Sequence, residues 1–175
     1  MIELKALNEN HVSPFYKWLN DVDSIRYSLS AFQKINHSGE VDVWFRSVLE
    51  DKKNLNLGIF LKSSKQLIGF TGICKISSLN RSGEYFIFIG DKSMWGKGIG
   101  SEVTKQILKI AFLEKGLNRL MLTVSKPNIG GVKAYQKAGF IAEGKCRQAC
   151  FRDGKFHDKL IMSILKDEYL KAIKA

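Results

Sequence analysis

The chain has 175 residues, 45% of them hydrophobic and 26% charged, which suits a single globular domain spanning 1–175 with a sizeable core. A net charge of +11 points to an anionic partner, and a phosphorylated cofactor or substrate would use only a few of the lysines. The positive residues are scattered, no apolar run is long enough to cross a bilayer, and "MIELKALNENH" lacks the apolar stretch of a secretory leader. These features argue against a basic nucleic-acid tail and against a membrane anchor, and they set a cytoplasmic expectation.

"IELKAL" alternates as an opening strand, and "SPFYKWLND" offers Ser13 as a helix cap with Pro14 at the first helical position. Val41, Trp44, Phe45, Val48 and Leu49 recur at i, i+3, i+4, i+7 and i+8, one face of a helix. "LNLGIFLK" and "QLIGFTGICKIS" read as strands separated by a polar turn, and the nearly all-apolar "EYFIFIG" suits the centre of a sheet. In "SEVTKQILKIAFLEKG" Val103, Ile107, Ile110 and Ala111 share a helical face, and Gly116 closes the helix. "RLMLTV" is a further buried strand, and "GGVKAYQKAG" a short helix stopped by Gly139. The tail predicts a hairpin about Asp153-Gly154 and a closing helix "KDEYLKAI".

This mixture predicts an α/β protein of the α+β sort, antiparallel meanders flanking one β-loop-α unit. Cys74, Cys146 and Cys150 form no CxxC pair, and with three histidines no zinc spacing arises, so no metal is expected. On one strand Cys146 and Cys150 would stand about 13 Å apart, too far for a disulfide. All three therefore read as reduced structural thiols. Phe15, Trp18, Tyr27, Trp44 and Phe45 read mainly as core, Asp153 as turn chemistry and His157 as a strand residue.

The stretch "WGKGIG", Trp95 to Gly100, lies between a predicted central strand and a helix N-terminus. Unpaired amides and the helix dipole favour an anion there, and glycines admit it to bare backbone. Lys92 and Lys97 would add positive charge. A Rossmann fingerprint fails, because the third glycine comes one residue early. A P-loop fails too, because Asp91 and Gly98 stand where it needs glycine and a hydroxyl residue. A tight turn that merely tolerates glycine is the plainer reading.

The loop resembles the pyrophosphate loop of the GNAT superfamily of acetyl-CoA-dependent N-acetyltransferases, Q/R-x-x-G-x-G/A. "WLND" (18–21), "EYFIFIGDKSMWGKGIGSE" (84–102), "NIGGVKAYQKAGF" (128–140) and "EGKCRQACFRDGKFHD" (143–158) are similar, in order, to its ribosomal-protein alanine acetyltransferase branch. The resemblance implies a mixed, mostly antiparallel central sheet flanked by helices. It also implies a loop of Trp95, Gly96, Lys97, Gly98, Ile99, Gly100 and Ser101 around the cofactor's pyrophosphate. Gly98 and Gly100 fit the two small positions, while Trp95 stands where glutamine or arginine is commoner.

By the same resemblance, backbone groups of Phe88, Ile89 and Gly90 would serve the pantetheine and the thioester carbonyl. Asn128 would bond the pantetheine and Tyr135 would protonate the leaving thiolate. Seven residues separate these two, about two helical turns. On the residues alone, Asn128 is equally a helix cap and Tyr135 a packed aromatic. Thr123 and Cys150 occupy positions where similar enzymes carry a glutamate base. Glu84 is the remaining candidate, as base, amine ligand or plain salt-bridge partner. The acceptor would be a primary amine: a protein N-terminus, a polyamine or other small amine, or an amino sugar. A two-fold homodimer is common among similar proteins. Two other classes stay open, a basic nucleic-acid-binding module and an acyl-CoA sensor without turnover, which would not need Tyr135.

Overall fold

Seven strands form one sheet in the order β1-β2-β3-β4-β5-β7-β6 in a computed structural model that describes residues 1–29, 31–35 and 37–174. They are β1 (Ile2–Lys5), β2 (Leu55–Leu61), β3 (Leu67–Ser77), β4 (Ser82–Ile89), β5 (Arg119–Ser125), β6 (Ile141–Arg152) and β7 (Lys155–Leu165). The apolar "EYFIFIG" run is the body of β4, fourth of the seven, as its lack of polar alternation predicts. Antiparallel pairing joins β1 to β2, β5 to β7 and β6 to β7, and a parallel pairing joins β4 to β5. The chain divides into two compact units, Met1–Gly72 with Phe86–Val103, and Ile73–Tyr85 with Thr104 onward.

The first unit carries the helices α1 (Ser13–Leu19), α2 (Val22–Ile25) and α3 (Ser38–Glu50). Its core is rich in rings: Phe15, Trp18, Phe32, Phe45, Phe70 and Phe88 are all buried. Phe32 meets Phe88 edge-on at 4.8 Å, and Phe15 meets Trp18 at 5.1 Å, the geometry that opposed ring quadrupoles favour. On α3 the predicted face is the core face, with Val41 and Phe45 buried and Trp44, Val48 and Leu49 packed against them. Tyr27 departs from the expected core set, being 40% exposed. Ser13 does not cap α1. Asn8 instead starts a 3-10 turn at Glu9–His11, its side chain accepting from the Asn10 amide, and the chain enters α1 through a helical Val12. Pro14 keeps its place in the first turn.

In the second unit the parallel ladder runs from Ser82↔Arg119 to Glu84↔Met121. Helix α4 (Ile99–Lys109) ends in a π turn at Ile110–Glu114, and Gly116 follows with φ +64, the left-handed stop its position predicts. Val103, Ile107 and Ala111 are fully buried. Asp153 and Gly154 turn the β6–β7 hairpin with φ +51 and +70, the two positive values a type I′ turn requires. Helix α6 (Lys166–Ala172) closes the chain.

All three cysteines are thiols rather than disulfides, but they are not alike. Cys150 is buried beside the Ser125 hydroxyl at 3.4 Å, while Cys146 lies exposed on β6, so the structural role expected of it is not met. His157 is a β7 residue opposite Cys150.

Candidate active site

The first group of residues lies where β4 gives way to the glycine loop. The Gly90 amide donates to the Ile68 carbonyl at 3.0 Å, and the Gly90 carbonyl accepts from Ser24 Oγ at 3.4 Å. The Phe88 carbonyl faces Gly69, 2.3 Å from where a Cβ there would sit. Strand alternation therefore turns the amide and carbonyl of Ile89 to the edge away from β3. Of the three strand-end residues, Ile89 is the one whose backbone faces away from β3. Trp95 takes its carbonyl: the indole Nε1 donates to it at 2.9 Å. Gly90 is glycine for another reason, since a Cβ would stand 2.1 Å from the Trp18 ring.

The glycines of the loop differ in what they need. Gly96 and Gly98 have φ +74 and +76 with open space around them, so backbone conformation alone selects glycine. Gly100 has neither a left-handed φ nor a crowded Cβ, whose nearest neighbour would be Ile89 Cδ1 at 3.9 Å. Among the described residues nothing demands glycine at 100, which leaves room for an outside group to approach bare backbone. The adjoining first turn of α4 carries the amides that no helix can satisfy internally. Ile99 is 2% exposed, so only its backbone is available there, whereas Lys97 is exposed and has no ion-pair partner among the described residues. Lys92 is not a free charge: its Nζ lies 2.6 Å from Asp21 Oδ2 and 3.8 Å from Asp23 Oδ2.

The second group lies on α5 (Ile129–Lys137) and the β4 start. Asn128 caps α5, its Oδ1 accepting from the Gly131 amide at 3.0 Å, which leaves Nδ2 to donate elsewhere. Tyr135 sits near the other end of α5, partly exposed, its ring edge-on to Tyr85 at 6.1 Å and to Phe140 at 6.0 Å. Desolvation pushes its phenol up to about 12, so it holds its proton through the physiological range. Glu84 is the third residue of β4 and pairs through Oε2 with Lys75 Nζ at 2.7 Å. That contact raises the Lys75 pKa, chiefly through the hydrogen bond. Thr123 is exposed on β5. Among the described residues no cluster of three or more His, Cys, Asp or Glu could hold a metal.

The family model of the acetyltransferase (GNAT) domain matches residues 2–141. This chain belongs to the GNAT family. As a GNAT N-acetyltransferase it moves an acetyl group from acetyl-CoA to an amine. It is 32% identical over 127 residues to the Probable N-acetyltransferase YjcK of Bacillus subtilis, covering 71% of this chain and 68% of that one. A spermidine N(1)-acetyltransferase of Vibrio cholerae is 31% identical over 108 residues, 62% of each chain. The fold matches that of the Vibrio cholerae spermidine N-acetyltransferase solved in complex with CoA and spermine. The TM-score is 0.86 at 24% identity, over 97% of this chain and 98% of that one.

The residues present suit this cofactor. CoA's diphosphate is the kind of anion that backbone bare of a side chain at a helix start can receive. Sequence reasoning missed the Trp95–Ile89 bond, the pairing of Lys92 with Asp21 and the Tyr85 ring beside Tyr135. Each joins positions whose proximity only the fold creates.

Proposed function

We propose that this GNAT enzyme acetylates a primary amine by direct attack on the acetyl-CoA thioester, with polyamines as the first acceptor class to test. The observation that carries the reading is Gly100, a helix-start glycine that neither backbone nor packing explains. The loop Trp95, Gly96, Lys97, Gly98, Ile99, Gly100 and Ser101 would receive the pyrophosphate through its amides. Of the strand-end set Phe88, Ile89 and Gly90, the Ile89 amide would bond the pantetheine or the thioester carbonyl, and Asn128 Nδ2 would bond the pantetheine arm. The amine lone pair attacks the carbonyl carbon, the carbon–sulfur bond breaks, and the thiolate takes the proton of the Tyr135 hydroxyl. The amine's surplus proton leaves to Glu84, whose Oε1 is the oxygen not held by Lys75, or to water. Polyamines come first because similarity to a spermidine acetyltransferase supports them. Protein N-termini, as in the ribosomal-protein branch, and nucleotide-linked amino sugars are the competing acceptors. The reaction is placed in the cytoplasm.

The test is thiol release from acetyl-CoA against spermidine, N-terminal peptides and nucleotide-linked amino sugars. Release with spermidine that falls about 100-fold in kcat in Tyr135→Phe, at little-changed acetyl-CoA affinity, is the expected result. Glu84→Gln should lower kcat, and full turnover in that variant would remove Glu84 from the mechanism. Unaltered turnover in Tyr135→Phe would sink the proton-donor role, and CoA binding without release on any acceptor would favour a sensor.

A further inference from the structure

The Tyr135 hydroxyl has no hydrogen-bond partner among the described residues, so only the packing of its ring can fix where it points. Two walls hold that ring. Phe140 is placed by the end of α5: its amide bonds the Tyr135 carbonyl and the Gly139 amide bonds the Gln136 carbonyl, both at 3.0 Å, with Gly139 at φ +97. This is a Schellman stop, whose apolar contact between the third-last helical residue and the second residue beyond the cap is here Tyr135 against Phe140. The other wall is Tyr85 on β4, 3% exposed and stacked on Phe140 at 6.2 Å. Packing alone would be served as well by phenylalanine. Tyr85 instead carries a buried hydroxyl, which meets Thr104 Oγ1 of α4 at 2.9 Å, and Thr104 is 1% exposed. A buried polar pair of this sort favours one orientation, because shifting the Tyr85 ring would lengthen or break its bond to Thr104.

We infer that Tyr85, anchored by the Thr104 hydroxyl, is a positioning residue for Tyr135, setting the direction in which its phenol presents the proton. The inference rests on the reading of Tyr135 as the proton donor. Removing the Tyr85 hydroxyl keeps the ring but frees it to shift, and a donor displaced by a fraction of an ångström transfers its proton less readily. The bond works from either side, so Thr104→Val should reproduce Tyr85→Phe, and Thr104→Ser, which keeps a hydroxyl, should behave as wild type.

The experiment is a kinetic double-mutant cycle on the full chain with acetyl-CoA and its best acceptor. Tyr85→Phe and Thr104→Val are each expected to lower kcat about tenfold while the KM for acetyl-CoA stays within about twofold. In the Tyr135→Phe background, Tyr85→Phe should have no further effect on kcat, because the group it aims is gone. Thermal melts of each variant establish that it is folded, and Thr104→Ser supplies a hydroxyl-retaining control. A multiplicative loss in the double variant, or full kcat in Tyr85→Phe, overturns the positioning role while leaving Tyr135 as donor. Full kcat in Tyr135→Phe alone overturns the donor reading, and this inference with it.

Discussion

Gly98 and Gly100 stand two residues apart and are glycine for different reasons, which makes them a matched pair. Gly98 adopts φ +76, so Gly98→Ala should cost about 1–2 kcal/mol of stability through left-handed strain. Gly100 has an ordinary backbone in a helix and an uncrowded Cβ position, so Gly100→Leu should leave the melting temperature unchanged or raise it. If the cofactor's diphosphate rests on that backbone, Gly100→Leu should also raise the KM for acetyl-CoA by about tenfold or more, or about 1.4 kcal/mol. A stable Gly100→Leu variant with an unaltered KM would mean that the cofactor does not approach residue 100. The phenol of Tyr135 belongs to this scale as well. Held up to about 12 by desolvation, it keeps its proton throughout any ordinary assay range.

Among the elements, β5, β6 and β7 are tied by one charged cluster. Arg119 forks onto Glu143, with Nη1 to Oε1 at 2.6 Å and Nη2 to Oε2 at 2.5 Å, and Ser163 Oγ donates to Glu143 Oε1 at 2.7 Å. These bonds, the Arg119 hydrogen bond foremost, hold the Glu143 carboxyl at about 2, below its ordinary 4.5. Asp51, after α3, is likewise held at about 2, first by the Asn54 side chain and then by the Lys53 amide. A depressed acid stabilises the fold fully above its unfolded pKa, and that contribution fades as pH falls through the folded value. The melting temperature should therefore be steady from pH 7 to about 5 and drop between about 4.5 and 2. Glu143→Gln should show a shallower drop in thermal melts across that range; an equal drop would remove Glu143 from the account. The elements most legible in the sequence were those with local punctuation. Gly116, Gly139 and the Asp153-Gly154 turn stop or reverse the chain where their residue types predict. Less legible were α2, the π turn after α4 and the true start of α1. A single-turn helix shows no periodicity, and the Ser13-Pro14 signal was overridden by the Asn8 turn just before it.

For the molecule as a whole, net charge and composition correctly pointed towards an anionic cofactor but misplaced part of the charge. Lys92 is committed to Asp21, and this pairing across more than seventy positions has no trace in local pattern. Family and chemistry were readable because glycine spacing and four ordered blocks are local. The arrangement that would aim Tyr135 was not, because Tyr85, Thr104 and Phe140 meet only in the fold. The Trp95 bond to the Ile89 carbonyl has an optical consequence. The chain has three tryptophans; Trp18 is 6% exposed and Trp44 packs against the same core, while Trp95, 45% exposed, alone stands in the glycine loop. Intrinsic fluorescence should thus carry a steady signal from two sheltered indoles and a responsive one from the third. Titrating CoA should change the emission in intensity or wavelength, and Trp95→Phe should abolish the change. A response that survived this substitution would have to come from the core indoles, and the loop would no longer be the place where the cofactor is felt.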